Sequence, residues 1–207
     1  MGRTLAVVGG GGHGRVVAEC AEAGGWDQVV FFDDNPNPAL EPGWTVKGSF
    51  DELTAQAATF DGVVVGLGAN RLRLRLTQEL ERAGARLTTL IHPAASVSRH
   101  AIIAPGSVLF AGVVVNVGAR IGRAVILNTA ATIDHDCVLD DGVHVSPGAH
   151  LAGGVTVGEA TWIGIGASVR ECTSIGADAV IGAGAVVVKS VLAGMTVAGN
   201  PARVLER

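Results

Sequence analysis

The fold of this chain is decided by residues 121–151, which read IGRAVILNTAATIDHDCVLDDGVHVSPGAHL. Aliphatic residues stand at every sixth position of this stretch, and the period runs unbroken from residue 91 to residue 187. Its members are Ile91, Val97, Ile103, Leu109, Val115, Ile121, Leu127, Ile133, Leu139, Val145, Leu151, Val157, Ile163, Val169, Ile175, Ile181 and Val187. The third position after each aliphatic residue is often Gly, which predicts a short strand and a tight turn in every hexad. Three hexads close one coil, so the period predicts a parallel β-helix of about five stacked coils.

The first ninety residues follow a different pattern. The predicted elements are a strand over 5–8, a helix over 13–23, a strand over 29–32, a short helix capped by Ser49 and Glu52, a strand over 63–65 and a helix over 69–83. A Pro/Asn-rich loop over 35–38 follows the second strand. Alternating strands and helices predict a small parallel α/β domain of the Rossmann-like kind. We therefore expect two domains, 1–90 and 91–207.

Composition and charge narrow the classes of function. The chain has 207 residues, of which 48% are hydrophobic and 4% aromatic, and its net charge is −4. This negative charge does not favour binding to nucleic acid or to an anionic membrane. A helix that spans a membrane needs about 20 consecutive apolar residues, and no stretch of the sequence approaches that length. The three cysteines match no zinc spacing and are predicted to be reduced residues of a cytoplasmic protein. Arg71, Arg73 and Arg75 are interpreted as the solvated face of a helix.

A glycine loop, Gly9–Gly14, joins the first predicted strand to the first helix. Glycines let the backbone approach an anion closely, and a helix N-terminus presents free N–H groups to it. Asp33 ends the next strand, where an acid that binds ribose would stand. The pattern predicts a nucleotide site, although a tight turn beside a solvated Asp33-Asp34 pair has the same sequence. NAD is one candidate, but hydride-transfer machinery is not visible elsewhere in the sequence.

His135 is the histidine best suited to chemistry. It lies in the segment NTAATIDHDCV, residues 128–138, away from the inward aliphatic column and between two carboxylates. A histidine accepts protons near neutral pH, and a neighbouring acid can hold its tautomer and raise its basicity. The segment predicts a general base, with a solvated His-Asp pair as the alternative.

The order of these motifs resembles one family. Gly9–Gly14, Asp33-Asp34, the GLGAN segment at 66–70, the hexapeptide period and the GNPAR segment at 199–203 resemble the sialic acid O-acetyltransferase (NeuD) family of bacterial sugar acetyltransferases. The resemblance covers essentially the whole chain. It implies a left-handed β-helix, acetyl-CoA as co-substrate without a metal, and a homotrimer with sites between subunits. It also implies that the N-terminal domain holds a nucleotide-sugar acceptor, not NAD.

The resemblance assigns roles to individual residues. His135 matches the family's base and Asp136 its carboxylate partner, although many relatives carry the longer Glu at that place. The residues expected at acetyl-CoA are His144, Gly164, Ile165 and Ala183. Arg203 is also expected there because its charge suits the CoA phosphates, and Lys189 is a further candidate, with a solvated basic side chain as the alternative for both. The residues expected at the acceptor are Gly9, Gly12, His13, Asp33, Asp34 and Gly68. His13 has helix capping as an alternative role. Trp162 stands 18 residues after His144, so the two are predicted to stack on one face.

The function that the resemblance implies is acetyl transfer to the amino group of a UDP- or GDP-linked 4-amino sugar, in bacterial glycan biosynthesis. O-acetylation of sialic acid or a related sugar is the alternative within the family. A zinc enzyme of the γ-carbonic anhydrase type would need three convergent histidines, but the spacing of His144 and His150 turns them onto different faces. A non-catalytic scaffold is a further alternative.

Overall fold

The structure, a computed structural model, describes residues 2–35 and 40–205. The predicted Pro/Asn-rich loop therefore lies largely outside the described residues. The N-terminal part contains one parallel sheet of strands β1 Thr4–Val8, β2 Gln28–Phe32, β3 Val46–Gly48 and β4 Gly62–Val65, in the spatial order β3-β2-β1-β4. Its helices are α1 Gly12–Ala23, α2 Phe50–Gln56 and α3 Asn70–Arg82, and a 3₁₀ turn spans Ala57–Thr59.

The predicted elements of this part are confirmed, and one strand is added to them. Leu5, Ala6 and Val7 in the central strand are fully buried, as a continuous apolar run in a parallel sheet requires. The predicted capping box begins α2, because Ser49 Oγ accepts from the backbone N–H of Glu52 and the Glu52 carboxylate accepts from that of Ser49. Strand β3 was not predicted, since its three residues include only one large apolar side chain.

The C-terminal part is a column of short strands in three sheets, which we call faces 1, 2 and 3. Between residues 90 and 187 the pairing is parallel and joins each strand to the strand 18 residues further on, as three hexads per coil require. At the end of face 1 the offset is 16 residues, and the last pair of strands is antiparallel. Face 1 contains Leu90–Ile91, Val108–Leu109, Ile126–Leu127, His144–Val145, Trp162–Ile163, Val180–Ile181, Thr196–Ala198 and Arg203–Val204. Face 2 contains Ser96–Val97, Val114–Val115, Thr132–Ile133, His150–Leu151, Ser168–Val169 and Val186–Val187. Face 3 contains Ile102–Ile103, Arg120–Ile121, Val138–Leu139, Thr156–Val157 and Ser174–Ile175.

The aliphatic period fills the interior of this column. From Leu109 onward its members form one continuous buried cluster along the axis. From residue 106 to residue 184, the turn position three residues after each aliphatic residue adopts the left-handed backbone region, and Gly106, Gly112 and Gly118 occupy it at low cost. Asp136 stands at the same position with a φ of 58°, a conformation that Asp tolerates better than most residues.

The N-terminal part packs through helix α1 on the outer side of face 1. Leu90, Val108 and Ile126, the outward residues of its first three strands, are buried in one cluster with α1 and β1. The next outward residues along face 1 are His144, Trp162 and Val180, and the last two are partly exposed. The part of face 1 that the N-terminal part covers therefore ends at His144.

Helix α3 lies along the corner between faces 3 and 1. The interpretation of its arginines as a solvated face is confirmed for Arg71 and Arg75, which are exposed, and is wrong for Arg73. Arg73 is only 1% exposed, and it donates hydrogen bonds to Ala124 O and Gly142 O in the turns of that corner. Arg71 forms exposed ion pairs with Glu159 and Asp178. Among the described residues, none of the helices is long and apolar enough to cross a membrane.

Candidate active site

His135 lies in the turn between faces 2 and 3, in the middle of the column. Its Nδ1 is 2.9 Å from Asp136 Oδ2, and its side chain is 57% exposed. Asp134 fixes the turn from the other side, because its Oδ1 accepts from the His135 backbone N–H at 2.8 Å and from Asn116 Nδ2 at 2.8 Å. The imidazole is thus held at its base and open to solvent at its tip.

The two carboxylates tune this imidazole. The hydrogen bond to Asp136 raises the pKa of His135, and the charge of Asp134 adds to the effect. Because a carboxylate accepts the Nδ1 proton, we assign the neutral tautomer with a free lone pair on Nε2. An exposed Nε2 in that state can take a proton from a bound nucleophile.

Two glycines in the neighbouring coils leave room for the pair. A Cβ on Gly153 would lie 2.4 Å from His135 Nε2, and a Cβ on Gly118 would lie 2.4 Å from Asp136 Oδ1. Sequence reasoning did not single out either glycine. The 18-residue coil could have found them, since Gly118 stands one coil before Asp136 and Gly153 one coil after His135.

A groove of about 490 Å³ runs along the exposed part of face 1 and its corner with face 2. It is lined by Asn128, His144, Ser146, Pro147, Trp162, Gly164, Ile165, Val180, Ile181, Gly182 and Ala183. Four of the five residues expected at acetyl-CoA therefore lie together. The predicted stack is confirmed, because the rings of His144 and Trp162 have centroids 4.7 Å apart.

His144 and His13 meet at the inner end of the groove, with ring centroids 6.2 Å apart. Burial, with a contribution from the charge of Arg73, lowers the pKa of His13 to about 4 and that of His144 to about 3. Both rings are therefore neutral at neutral pH. His13 Nε2 and His144 Nδ1 are buried and have no hydrogen-bond partner among the described residues. Helix α1 begins without a side-chain cap, so the capping role considered for His13 is wrong.

The glycine loop lies at the switch point of the sheet, between β1 and β4. Ligands of open α/β sheets bind in such a crevice. Gly9 has a φ of 95°, and a Cβ on Gly14 would lie 1.8 Å from Gly9 O, so both positions need glycine. The neighbouring carboxylate is engaged by the backbone, since Asp33 Oδ2 accepts from Gly10 N at 2.7 Å. Asp34 Oδ1 accepts from Phe50 N at 2.9 Å.

The structure separates some of the expected residues. The groove lies at the corner of faces 1 and 2, whereas His135 lies at the corner of faces 2 and 3. Arg203 and Lys189 line a different cavity of about 370 Å³ at the C-terminal end of the column. His150 lies on face 2, where its Nδ1 is 2.9 Å from Thr132 Oγ1. Among the described residues, no three His, Cys, Asp or Glu side chains are grouped so that they could hold a metal ion.

Comparisons with known proteins agree with this architecture. The family model "PglD N-terminal domain" matches residues 4–80, and "Bacterial transferase hexapeptide (six repeats)" matches residues 154–189. The acetyltransferase domain of PglB from Neisseria gonorrhoeae FA1090, solved in complex with acetyl coenzyme A, is 47% identical with a TM-score of 0.94. That match covers 99% of this chain and 100% of the other.

Two further relatives are amino-sugar enzymes. A histidine variant of perosamine N-acetyltransferase from Caulobacter crescentus, solved with CoA and GDP-perosamine, is 36% identical with a TM-score of 0.94, over 99% of this chain and 97% of that one. UDP-N-acetylbacillosamine N-acetyltransferase of Bacillus subtilis (strain 168) is 37% identical over 113 residues, 53% of this chain. The match spans about half of that enzyme's length, 52%.

Fold and relatives together define a hexapeptide-repeat transferase with a Rossmann-like N-terminal domain and a left-handed parallel β-helix, which confirms the predicted fold class. Within that class, the chain belongs to the family of acetyl-CoA-dependent sugar N-acetyltransferases that includes the PglB acetyltransferase domain and perosamine N-acetyltransferase. The family resemblance seen in the sequence is confirmed at this level, and the sialic acid O-acetyltransferase branch stays a prediction.

Proposed function

We propose that this chain transfers the acetyl group of acetyl-CoA to the amino group of a nucleotide-linked 4-amino sugar, with His135 as general base. The observation that carries the proposal is the exposed His135 imidazole, whose Nδ1 is 2.9 Å from the Asp136 carboxylate. In this proposal residues 1–90 hold the nucleotide sugar through the crevice at Gly9, Gly12 and Gly68. Residues 91–207 hold acetyl-CoA along the face 1 groove.

The residues divide the chemistry between them. His135 Nε2 accepts a proton from the acceptor amine as the nitrogen forms its bond to the thioester carbonyl carbon, and Asp136 stabilises the resulting imidazolium. When the carbon–sulfur bond breaks, the same imidazolium returns the proton to the CoA thiolate. Neutral His144 has a buried Nδ1 without a partner among the described residues, which suits a hydrogen bond near the thioester.

The site is completed by a second subunit in this proposal. One face of the column separates His135 from the groove of its own chain, a span of up to about 20 Å for a hexad of extended backbone. Acetyl transfer needs the base within hydrogen-bond reach of the nucleophile, about 3 Å. A homotrimer that places His135 of one subunit against the groove of its neighbour meets this requirement.

The acceptor and the base are tested in one assay. We would measure thiol release from acetyl-CoA with UDP- and GDP-linked 4-amino sugars and with sialic acid, and record the mass of the product. His135→Ala is the test variant, and His100→Ala, an exposed histidine at the same corner two coils earlier, is the matched control. We expect one added acetyl group on an amino sugar, near-complete loss with His135→Ala, and wild-type rates with His100→Ala.

Other outcomes of this assay lead to other conclusions. Product from sialic acid alone would favour the O-acetyltransferase reading. Turnover that survives His135→Ala would refute the base while keeping the reaction. If no acceptor gives product and acetyl-CoA causes no thermal shift, the alternative of a non-catalytic scaffold would be favoured.

We also place the chain in the cytoplasm, because Cys172 is an exposed free thiol, which suits a reducing compartment.

A further inference from the structure

Helix α3 contacts one corner of the β-helix through a ladder of turn residues spaced 18 apart. Thr77 lies over Gly106, Arg73 donates to Ala124 O and Gly142 O, and Asn70 Nδ2 donates to Ala160 O at 2.9 Å. Arg71 reaches Asp178 in the following coil. The helix thus spans five consecutive coils and fixes the N-terminal domain along the column.

Arg73 is the residue of this ladder that contacts both domains at the active site. Its Nε donates to Ala124 O at 2.8 Å and its Nη2 to Gly142 O at 2.7 Å, in the β-helix. Its Nη1 donates to Leu67 O at 2.9 Å and Gly68 O at 3.1 Å, in the loop after β4. These partners are backbone carbonyls, so the buried cation is stabilised by dipoles and geometry, which a lysine cannot reproduce.

Both ends of this bridge are next to residues of the proposed site. Gly142 stands two residues before His144, in the turn that leads into the strand of His144. The loop after β4 supports the start of α1, because a Cβ on Gly66 would lie 2.9 Å from Gly14 Cα, directly beside His13. A shift of the Arg73 bridge would therefore move His13 relative to His144.

We propose that Arg73 is a positioning residue of the transfer site, holding His13 and the Gly68 loop of the acceptor side in register with His144 of the acetyl-CoA groove. This inference rests on the proposed function.

The positive charge of Arg73 has a second consequence. The titratable or charged groups that face His144 are His13 of α1 and Arg73 of α3, and the positive charge of Arg73 helps to lower the pKa of both histidines. Burial lowers the pKa of Arg73 itself to about 9, so it stays charged at neutral pH.

The test variants are Arg73→Gln and Arg73→Lys. The matched control is Arg71→Gln on the same helix, because this substitution removes only exposed ion pairs. We would measure kcat and KM for both substrates, and titrate the histidines by NMR in the folded proteins. For Arg73→Gln we expect kcat to fall about a hundredfold, the cost of a misplacement of about 1 Å. The pKa values of His13 and His144 should rise, because the cation is gone. Arg73→Lys should keep these pKa values low and still lose kcat, and Arg71→Gln should behave as wild type.

Wild-type kcat and unchanged histidine titrations in a folded Arg73→Gln variant would overturn the inference. If that variant does not fold, wild-type kcat in Arg73→Lys would overturn it instead. Absence of turnover in the wild-type protein would count against the proposed function. The histidine titration needs no turnover, so it tests the influence of Arg73 on the two histidines separately.

Discussion

Replacing Gly153 with Ala should disable His135, the proposed base, without unfolding the protein. The three nearest atoms to a Cβ at this position all belong to the His135 ring, with Nε2 at 2.4 Å. An ordinary van der Waals contact begins near 3.4 Å, so the ring has to move by about 1 Å. A displacement of that size lowers kcat by about a hundredfold when it affects a catalytic group. The ring is mostly exposed and can swing into solvent, so the unfolding midpoint should stay near that of wild type.

The assay is steady-state thiol release, with the thermal midpoint measured on the same samples. The control is Glu171→Ala, an exposed residue in the same column one coil beyond Gly153, which should not change kcat. Introducing Gly153→Ala into the His135→Ala background should cause no further loss, because the ring that it displaces is absent. Full activity of Gly153→Ala, or an equal loss in both backgrounds, would refute the reasoning.

Three further expectations follow from the same contacts. Asp136→Asn replaces the carboxylate that raises the pKa of His135 with a neutral amide, so the rise of kcat/KM with pH should move to lower pH and the maximal rate should fall. A pH–rate profile that does not move would count against the pair. Leu127→Ala opens a cavity in the fully buried column and should lower the free energy of unfolding by about 2–5 kcal/mol, measured in urea at one protein concentration, whereas Ile102→Ala, on the exposed side, should cost far less. Trp162→Ala removes a 40% exposed ring from the groove and should raise the Kd for acetyl-CoA by up to about tenfold in calorimetry; an unchanged Kd would place the ligand elsewhere.

Most of the fold could be predicted from the sequence, because the spacing of the repeat determines the geometry of the coils. A six-residue period predicts which residue of each hexad faces inward, and an 18-residue coil predicts which residues are stacked. The contact of His144 with Trp162 follows from that arithmetic alone and is confirmed. The positions of Gly118 and Gly153, one coil before Asp136 and one coil after His135, follow from it as well, although they were not singled out.

The domain junction could not be predicted in the same way. Arg73 stands between Arg71 and Arg75 in a polar helix, and the three look alike in sequence. What buries Arg73 is a set of backbone carbonyls in turns far along the chain, and any residue type supplies a carbonyl. The separation of Arg203 from the groove has a similar cause, because the path of the chain after the last hexad is not set by the period.

Co-expression of two inactive variants tests whether His135 and the groove at His144 form one site across two subunits. His135→Ala and His144→Ala chains with different tags would be produced together, mixed oligomers isolated through both tags, and acetylated amino sugar measured by mass. If neighbouring subunits of a trimer share the site, each mixed trimer has one intact site of its three, because at one interface an intact base meets an intact groove. If both histidines act within one chain, every site carries one defect. Mixed oligomers no more active than either variant alone would show that the two histidines do not form one site between subunits.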